Sequence, residues 1–323
     1  MGRVRKYDWK EIAKIAEMEA KEYRKRHGIS PTLRGLFYIL VSKNVIENTV
    51  QCYKTLSRVL AEKRYSKEFP DFLIRDVTRK SKYAEKETYY KTEEITLDEI
   101  KDRLESWLNY TYDVSLNVWE FNKDRVIVLV EKEAEYEAVV KMLSDFEYGV
   151  YSIRCMKGFD SATDVLTIAR EVKNLNLQGY RAVLLLITDF DPSGEEIAED
   201  VSRRLKRIDP ELDFIAEKVM VTKEQVLKFN LPYRPESEAE IKKLQRDSRF
   251  TKFVSKHGLM RVELDALIGL RFNEAKEILI NAILKYLSKD AIDQYNKKKE
   301  ELEKQSSEIK QKVLEKIQQL FRQ

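Results

Sequence analysis

The sequence predicts a multi-domain α/β protein, and three observations lead to this prediction. The chain has 323 residues, which is enough for two or three separately folded domains. From about residue 110 onward, short apolar segments alternate with amphipathic ones, an order typical of parallel sheets with crossover helices. Before that point, the apolar residues have helical periodicity. We therefore expect a helical N-terminal domain followed by an α/β domain.

Composition excludes several classes of protein. Hydrophobic residues make up 43% of the chain and charged residues 36%, and no segment approaches the roughly 20 apolar residues of a membrane span. The first residues lack the apolar core of a secretory signal, so we expect a cytoplasmic protein with no membrane partner. Two cysteines and two histidines exclude a disulfide framework and a four-cysteine zinc site, and they argue against histidine chemistry. Any reaction must therefore use carboxylates, hydroxyls or phenols.

The N-terminal region contains three predicted helices. Residues 8–27 form an amphipathic helix ended by Gly28, and residues 30–32 begin a second helix with the sequence LRGLFYILVSKN. Residues 44–65 form a longer third helix, and DFLIRDVTRK follows with a β-like start. This order is that of a winged helix-turn-helix, in which a later helix enters the DNA major groove. A plain helical bundle fits the same pattern nearly as well.

The positive charge of the chain is concentrated in this region. Residues 1–90 contain 21 Lys and Arg against 12 Asp and Glu, whereas the remainder contains 39 against 44. Such asymmetry is expected of a region that binds a polyanion, although ordinary solvated helix faces would also produce it. The predicted DNA-binding residues on the polar side of the third helix are Lys54, Arg58, Lys63 and Arg64. If this region binds a polyanion, we expect double-stranded DNA as the partner and a nucleoid-associated location.

The middle of the chain reads as three successive β-α units. The strands are DRVIVLVEK, YGVYSIRCMKG and YRAVLLLITDF, and the helices are EYEAVVKMLSDF, ATDVLTIAREVKNL and GEEIAEDVSRRLKRI. A further strand and helix follow in VMVTKEQVLKF. Residues 289–323 predict a long helix, with an apolar repeat of about 3.5 residues that would suit packing on the domain or a coiled-coil dimer. Functional residues of parallel sheets lie at the carboxyl ends of the strands.

Acidic residues follow two of these strands. In LLLITDFDPSGEEI, Asp189 and Asp191 point the same way because strand faces alternate, and Glu131 ends an earlier strand. Carboxylates that converge repel one another unless a cation or a proton neutralises them. Oxygen ligands without His or Cys favour Mg²⁺, so Glu131, Asp189 and Asp191 are the predicted metal ligands. The alternative is that DPSG is only a turn that begins a helix.

The motifs of the strand ends resemble those of a known family. The segments V-E-K-E, K-G-F and D-F-D-P-S-G, in this order and spacing, resemble the Toprim domain of the topoisomerase VI A subunit and its meiotic double-strand-break relatives. Upstream, TLRGLFYIL resembles the family's Arg-x-x-aromatic-Tyr signature with Arg34, Phe37 and Tyr38. The resemblance covers roughly residues 30–270. It predicts an N-terminal winged helix-turn-helix, a Toprim Rossmann-like parallel sheet and a C-terminal long helix.

The resemblance implies a mechanism. Tyr38 would be the nucleophile that becomes linked to a 5′ phosphate of DNA, and Arg34, one helical turn earlier, would stabilise the developing charge. Mg²⁺ at the acidic site would polarise the phosphate, and Lys157 of the K-G-F segment would contact DNA. In the family the tyrosine and the metal belong to different subunits, which implies a homodimer. The chain has no glycine-rich nucleotide loop, so strand passage driven by ATP would need a separate B-type ATPase subunit.

The sequence also departs from the family pattern. Gly35 stands where an acidic residue often follows the arginine, and Phe159, Asp160 and Ser161 replace the usual tyrosine, proline and aspartate. Glu263 and Asp265 in RVELDAL resemble a family element near the metal site, although two such acids are more often surface or helix-cap residues.

The predicted domains are residues 1–108 for DNA binding and the tyrosine, 109–288 for the Toprim domain, and 289–323 for the C-terminal helix. The function expected from the resemblance is that of a Mg²⁺-dependent, type IIB topoisomerase A-like transesterase that breaks both DNA strands. Two alternatives stay open: a hydrolytic Toprim nuclease in which Tyr38 is structural, and a DNA-binding protein without catalytic activity.

Overall fold

The computed structural model describes residues 7–75, 102–104, 106–107, 116–156, 162–235, 241–242, 245 and 248–320. The fold is mixed α/β with a four-stranded parallel sheet, which agrees with the predicted α/β class. The chain divides into two compact units, one formed by residues 1–80 and 123–286 and the other by residues 81–122 and 287–323. No helix within the described ranges is long and apolar enough to cross a membrane. The predicted domain boundaries stay predictions.

The three predicted N-terminal helices are present as α1 (Trp9–His27), α2 (Leu33–Ser42) and α3 (Val50–Tyr65). Each begins at a polar cap, for example the Thr32 hydroxyl, which accepts a hydrogen bond from the Gly35 amide at 2.9 Å. The predicted start of α3 at Asn44 was wrong. Asn44 has a left-handed φ of 56°, and Thr49 caps the helix instead by accepting a bond from the Cys52 amide at 3.2 Å.

The β-like start predicted for DFLIRDVTRK was also wrong within its described part. Asp71–Leu73 forms a single 3-10 turn, and Arg75 makes one isolated parallel bridge to Thr32. The predicted wing falls on residues that lie outside the described ranges. The winged-helix assignment therefore stays a prediction.

The sheet has four parallel strands in the order β2-β1-β3-β4. Their bounds are β1 (Asp124–Val130), β2 (Ser152–Cys155), β3 (Arg181–Ile187) and β4 (Phe214–Met220). The chain leaves β1 toward one edge of the sheet and leaves β3 toward the other, so the strand order reverses between them. In open parallel sheets such a reversal forms a crevice at the carboxyl ends, where ligands bind.

Helices cover both faces of the sheet. Those of the first unit are α4 (Glu133–Leu143), α5 (Ala162–Leu177), α6 (Pro192–Ile208), α7 (Lys223–Phe229), α8 (Ser248–His257), α9 (Leu264–Leu270) and α10 (Phe272–Leu284). Buried residues of α5 and α6 pack on Ile127, Leu129, Leu184 and Leu186 of the two central strands. Helices α4 and α10 contact each other and the strands β1 and β4, respectively. The central strands are thereby removed from water.

Helices α2 and α9 meet at two glycines. A Cβ atom on Gly269 would lie 3.0 Å from both the Cα and the carbonyl oxygen of Gly35. Since a side chain at this point would separate the helices, the glycines allow α2, which contains Tyr38, to lie against the segment that follows the sheet. A Cβ atom on Gly35 itself would meet the Thr32 hydroxyl at 3.2 Å and the Cα of Gly269 at 3.8 Å, so the approach is tightest at Gly269.

The second unit is built around one long helix. This helix, α11 (Lys289–Leu320), confirms the predicted C-terminal helix. The Ser288 amide before it donates to the Asn122 side chain at 3.1 Å, next to a 3-10 turn at Val118–Phe121 that buries Trp119. Pairing of α11 as a coiled coil stays a prediction.

Candidate functional site

The carboxyl ends of β1 and β3 bring two of the predicted acids together. Glu131 follows β1, and its amide donates to the Ile187 carbonyl of β3 at 3.0 Å. Its carboxylate accepts a hydrogen bond from the Asp189 amide at 3.3 Å. Both acids therefore lie at the reversal of strand order, as their positions at the ends of apolar runs predicted.

Asp191 begins helix α6. Its side chain accepts a bond from the Gly194 amide at 2.7 Å and lies 3.8 Å from the guanidinium of Arg261. A Cβ atom on Gly194 would lie 2.0 Å from the Asp189 carbonyl, so the turn requires glycine there. The DPSG segment is thus a turn and helix start, and it also holds Asp191 beside the other two acids.

The three acids influence one another electrostatically. Burial, together with the negative charges of Asp189 and Asp191, raises the pKa of Glu131 to about 7. The adjacent Lys132 pairs with the Asp189 carboxylate. Burial opposes the charge of Lys132, but the combined attraction of Asp189, Glu135 and Glu263 raises the pKa of Lys132 above its ordinary value.

The described arrangement does not fit a metal ion. One oxygen of Asp189 accepts the amide of Leu264 at 2.9 Å and the other is paired with Lys132. Asp191 is engaged by a helix amide and faces Arg261. Across the described ranges, no group of three or more His, Cys, Asp or Glu residues is placed to hold a metal. The oxygen donors suit Mg²⁺, but internal cations and amides already satisfy two of the three acids.

A second acidic pair lies buried nearby, and sequence reasoning did not identify it. Glu135 on α4 is 1% exposed, and burial, together with the charge of Asp265, raises its pKa well above the ordinary value. Asp265 accepts a hydrogen bond from the Thr32 hydroxyl and is also buried. The alternative of a surface or cap position was therefore wrong for Asp265. Only the apolar setting VELDALIG could have indicated its burial.

Tyr38 is completely buried. Its hydroxyl donates a hydrogen bond to Glu263 Oε2 at 3.0 Å. Burial and the negative charge of Glu263 raise the pKa of Tyr38 far above its ordinary value. Arg34 forms an ion pair with the same carboxylate, and its guanidinium lies 4.8 Å from the centre of the Tyr53 ring. Arg34 and Tyr38 therefore contact the same carboxylate, as their spacing of one turn on α2 allows.

Tyr38 lines a small cavity with a basic wall. The cavity has a volume of about 170 Å³. Its lining includes three cationic side chains, Arg34, Lys54 and Arg234, and the aromatic rings of Phe37, Tyr38 and Tyr53. Arg234 also lies 3.5 Å from Glu263. Sequence reasoning missed Arg234 because it is distant from α2 in the chain, and its neighbourhood LPYRPE has no motif.

The other predicted DNA-binding residues occupy different settings. Lys54 and Arg58 are exposed on α3, one turn apart. Lys63 pairs with Glu68 at 2.5 Å, and Arg64 is half-buried near the end of the helix. Lys157 lies outside the described residues, as do Phe159, Asp160 and Ser161.

One short segment joins the acids to the tyrosine. Val262 pairs with Phe190 through two backbone hydrogen bonds of 2.8 and 2.9 Å. The next residue, Glu263, accepts the hydrogen bond from the Tyr38 hydroxyl. The amide of Leu264 then donates a hydrogen bond to Asp189. The charges of Lys132 and Glu263 also attract each other. The two sets of residues that the sequence singled out are therefore connected within one chain.

Comparison of this chain with protein-family models, with curated proteins and with solved structures found no match, and its family resemblance stays a prediction.

Proposed function

We propose that this chain is a DNA-cleaving transesterase in which Tyr38 attacks a phosphodiester bond. The observation that supports this proposal is the cavity that Tyr38 lines together with three cationic residues. Guanidinium and ammonium groups bind phosphate oxygens, and a phenol beside them has the position of a nucleophile. Arg34 would stabilise the charge on the attacked phosphate. Arg234 and Lys54 would bind the neighbouring phosphates of the DNA backbone.

Charge distribution supports DNA as the substrate. The cavity opens beside α3, where Lys54 and Arg58 are exposed, and residues 1–90 are net positive whereas the remainder of the chain is net negative. Exposed Lys and Arg side chains bind the phosphate backbone of duplex DNA. The proposed winged helix would place this surface on the duplex.

The burial of Tyr38 adds a requirement. Because no part of the residue is exposed, its hydroxyl reaches a phosphate only if the cavity widens. Arg34 and Arg234 contact Glu263 here, and DNA phosphate would compete with that carboxylate for both guanidinium groups. We therefore propose that the phosphate itself opens the cavity by attracting the arginines.

Magnesium and dimerisation belong to the same proposal. The resemblance implies Mg²⁺, which Glu131, Asp189 and Asp191 would hold and which would supply Lewis-acid chemistry there. In the described arrangement Lys132 would first have to leave Asp189. Cleavage of both strands needs two tyrosines, which a homodimer would supply. A separate ATPase subunit would be needed only for strand passage.

The test uses the purified chain with supercoiled plasmid and Mg²⁺, stopped with detergent. We expect linear DNA with protein attached to its 5′ ends, and none after EDTA treatment. Tyr38→Phe should abolish the attachment. Tyr65→Phe is the matched control, since Tyr65 is 87% exposed at the end of α3. We expect this variant to cleave DNA like the wild-type protein. Cleavage by Tyr38→Phe at the wild-type rate would overturn the proposal.

A hydrolytic nuclease is the second candidate, because complete burial of Tyr38 is also what a structural tyrosine would show. In that case Tyr38→Phe would still linearise the plasmid, and the 5′ ends would be free of protein. A protein that only binds DNA would leave the plasmid intact, and Asp189→Ala would not change its binding.

A further inference from the structure

Glu263 divides its two carboxylate oxygens between different partners. Oε2 accepts the hydrogen bond from Tyr38 at 3.0 Å, while Oε1 pairs with Arg34 and lies 3.5 Å from Arg234. The residue is 3% exposed, so these contacts replace water. Oε1 is thus balanced by two cations, whereas Oε2 is the oxygen that faces the phenol.

The backbone fixes this carboxylate in place. The residue before it pairs with Phe190, and the residue after it donates its amide to Asp189 at 2.9 Å. Glu263 itself has extended backbone angles, with φ −85° and ψ 147°, just before α9 begins. The position of the carboxylate is thus set by the sheet and does not depend on a mobile surface side chain.

We propose that Glu263 is the proton acceptor for Tyr38, an inference that depends on the proposed tyrosine chemistry. The phenol oxygen of Tyr38 bonds to phosphorus while its proton moves to Glu263 Oε2. The bond from phosphorus to the 3′ oxygen breaks, and the electron pair leaves on that oxygen, which takes a proton from water. Resealing reverses these steps, with Glu263 returning the proton to Tyr38.

The setting of Tyr38 explains why an acceptor is needed. Burial holds the pKa of the phenol far above neutrality, so a free phenolate would be scarce at pH 7. A carboxylate within hydrogen-bond distance removes the proton as the new bond forms, and such general base catalysis typically contributes about 10²- to 10⁴-fold.

The charged groups that face Glu263 allow it to act in this way. Arg34 on α2 and Arg234 in the loop after α7 contact it directly, and Lys132 at the start of α4 attracts it over a longer distance. Asp265 on α9 acts on Tyr38 with the opposite sign and disfavours the phenolate. The two arginines balance the carboxylate at Oε1, and Oε2 is left to the phenol.

The experiment compares Glu263→Gln with wild type in single-turnover formation of the protein–DNA link, from about pH 7 to about pH 9. We expect Glu263→Gln to be about 10²-fold slower or more at pH 7. The deficit should shrink as the pH rises, because hydroxide then forms the phenolate without Glu263. Glu277→Gln, on the exposed side of α10, is the matched control and should equal wild type at every pH.

A second variant covers the case in which Glu263→Gln does not fold. Glu263→Asp keeps the charge that Arg34 and Arg234 require, but it withdraws the carboxylate from Tyr38 by one methylene group. The same shrinking deficit is expected. Wild-type rates in a folded variant, or faster ones, would overturn the inference, and so would a deficit that is constant with pH, which indicates a purely structural role.

The outcome for the wild-type protein separates the two proposals. If wild type forms no covalent link to DNA, the proposed function fails and this inference fails with it. If wild type forms the link and the Glu263 variants form it equally fast, only the role of Glu263 is overturned.

Discussion

The ammonium group of Lys132 pairs with the carboxylate of Asp189 across the ends of two neighbouring strands. Lys132 directly follows Glu131, so one predicted metal ligand is adjacent in sequence to the cation that neutralises another. The side chain of Asp189 is 6% exposed, which makes the loss of this partner costly. The pair explains why the described acids do not form a metal site although they lie together.

Replacement of Lys132 should therefore favour a divalent cation. We expect Lys132→Met to lower the free energy of unfolding by about 2 kcal/mol, less than for a fully buried pair because Lys132 is partly exposed. It should bind Mn²⁺ at least about tenfold more tightly than wild type, since a nearby positive charge is gone. Calorimetric titration and thermal unfolding with and without Mn²⁺ measure both effects.

A second lysine pair provides the control. Lys173 bonds to Asp209 at 2.9 Å on the surface, where solvent screens the pair, so Lys173→Met should hardly change the stability and should leave Mn²⁺ affinity unchanged. Equal Mn²⁺ affinity in Lys132→Met and wild type would show that Lys132 does not compete with a metal.

The raised pKa of Glu131 predicts a pH-dependent stability. The folded protein keeps this carboxyl protonated up to about pH 7, whereas in the unfolded chain it ionises near its ordinary value of 4.5. The unfolded state therefore binds fewer protons in this range, and stability falls as the pH rises from about 4.5 to 7. Glu131→Gln cannot ionise, so it should gain stability relative to wild type across this window, by at most about 3 kcal/mol.

Chemical denaturation of both proteins at pH 5 and pH 8 measures this difference. Glu277→Gln serves as the control and should follow wild type at both values. A difference between Glu131→Gln and wild type that does not change with pH would contradict the raised pKa.

DNA binding should depend on salt through Lys54 and Arg58. Removing one cation that binds a phosphate lowers the slope of log affinity against log salt concentration by about one. We expect the double substitution Lys54→Ala and Arg58→Ala to reduce the slope by about two, measured by fluorescence anisotropy with duplex DNA. The control is Lys312→Ala with Lys316→Ala, two exposed lysines with the same spacing on α11. An unchanged slope in the α3 variant would place the DNA elsewhere.

The contact between α2 and α9 predicts an unusual effect of alanine. Alanine normally stabilises a helix relative to glycine by up to about 1 kcal/mol. For Gly269→Ala we expect the free energy of unfolding to fall by about 1 to 3 kcal/mol instead, because the added methyl group would press on the backbone of Gly35. Gly35→Ala should cost less, since its nearest neighbour is the Thr32 hydroxyl at 3.2 Å. Urea denaturation of both variants tests the order, and a gain in Gly269→Ala would contradict the close approach.

Sequence patterns predicted the sheet well because its central strands are buried on both faces. Such strands are continuous apolar runs, and the residue after each run must lie at the carboxyl edge. This rule was sufficient to bring Glu131 and Asp189 together. Helix starts were less certain, as the late start of α3 at Val50 shows, because a polar turn and a first helical turn have similar compositions.

The partners of Tyr38 could not be predicted in the same way. Glu263 lies 225 residues later in the chain, and its contact depends on how closely α2 and α9 approach. That approach is set by two glycines whose proximity no periodicity reveals. The burial of Tyr38 and the role of Arg234 in the cavity wall have the same origin in tertiary packing.

The three residues from Val262 to Leu264 have a consequence for how this protein tolerates change. The backbone groups of Val262 and Leu264 bond to Phe190 and Asp189, whereas the side chain of Glu263 points to the opposite side and bonds to Tyr38. This alternation arises because the segment is extended. A single residue inserted between His257 and Val262 would be absorbed by the loop after α8, but one inserted between Val262 and Leu264 would exchange the sides. The carboxylate of Glu263 would then point away from the phenol and toward the strand ends. One inserted residue would thus break the contacts of Glu263 with Tyr38, Arg34 and Arg234 together. The number of residues in this segment therefore limits variation at the site more than their identity does.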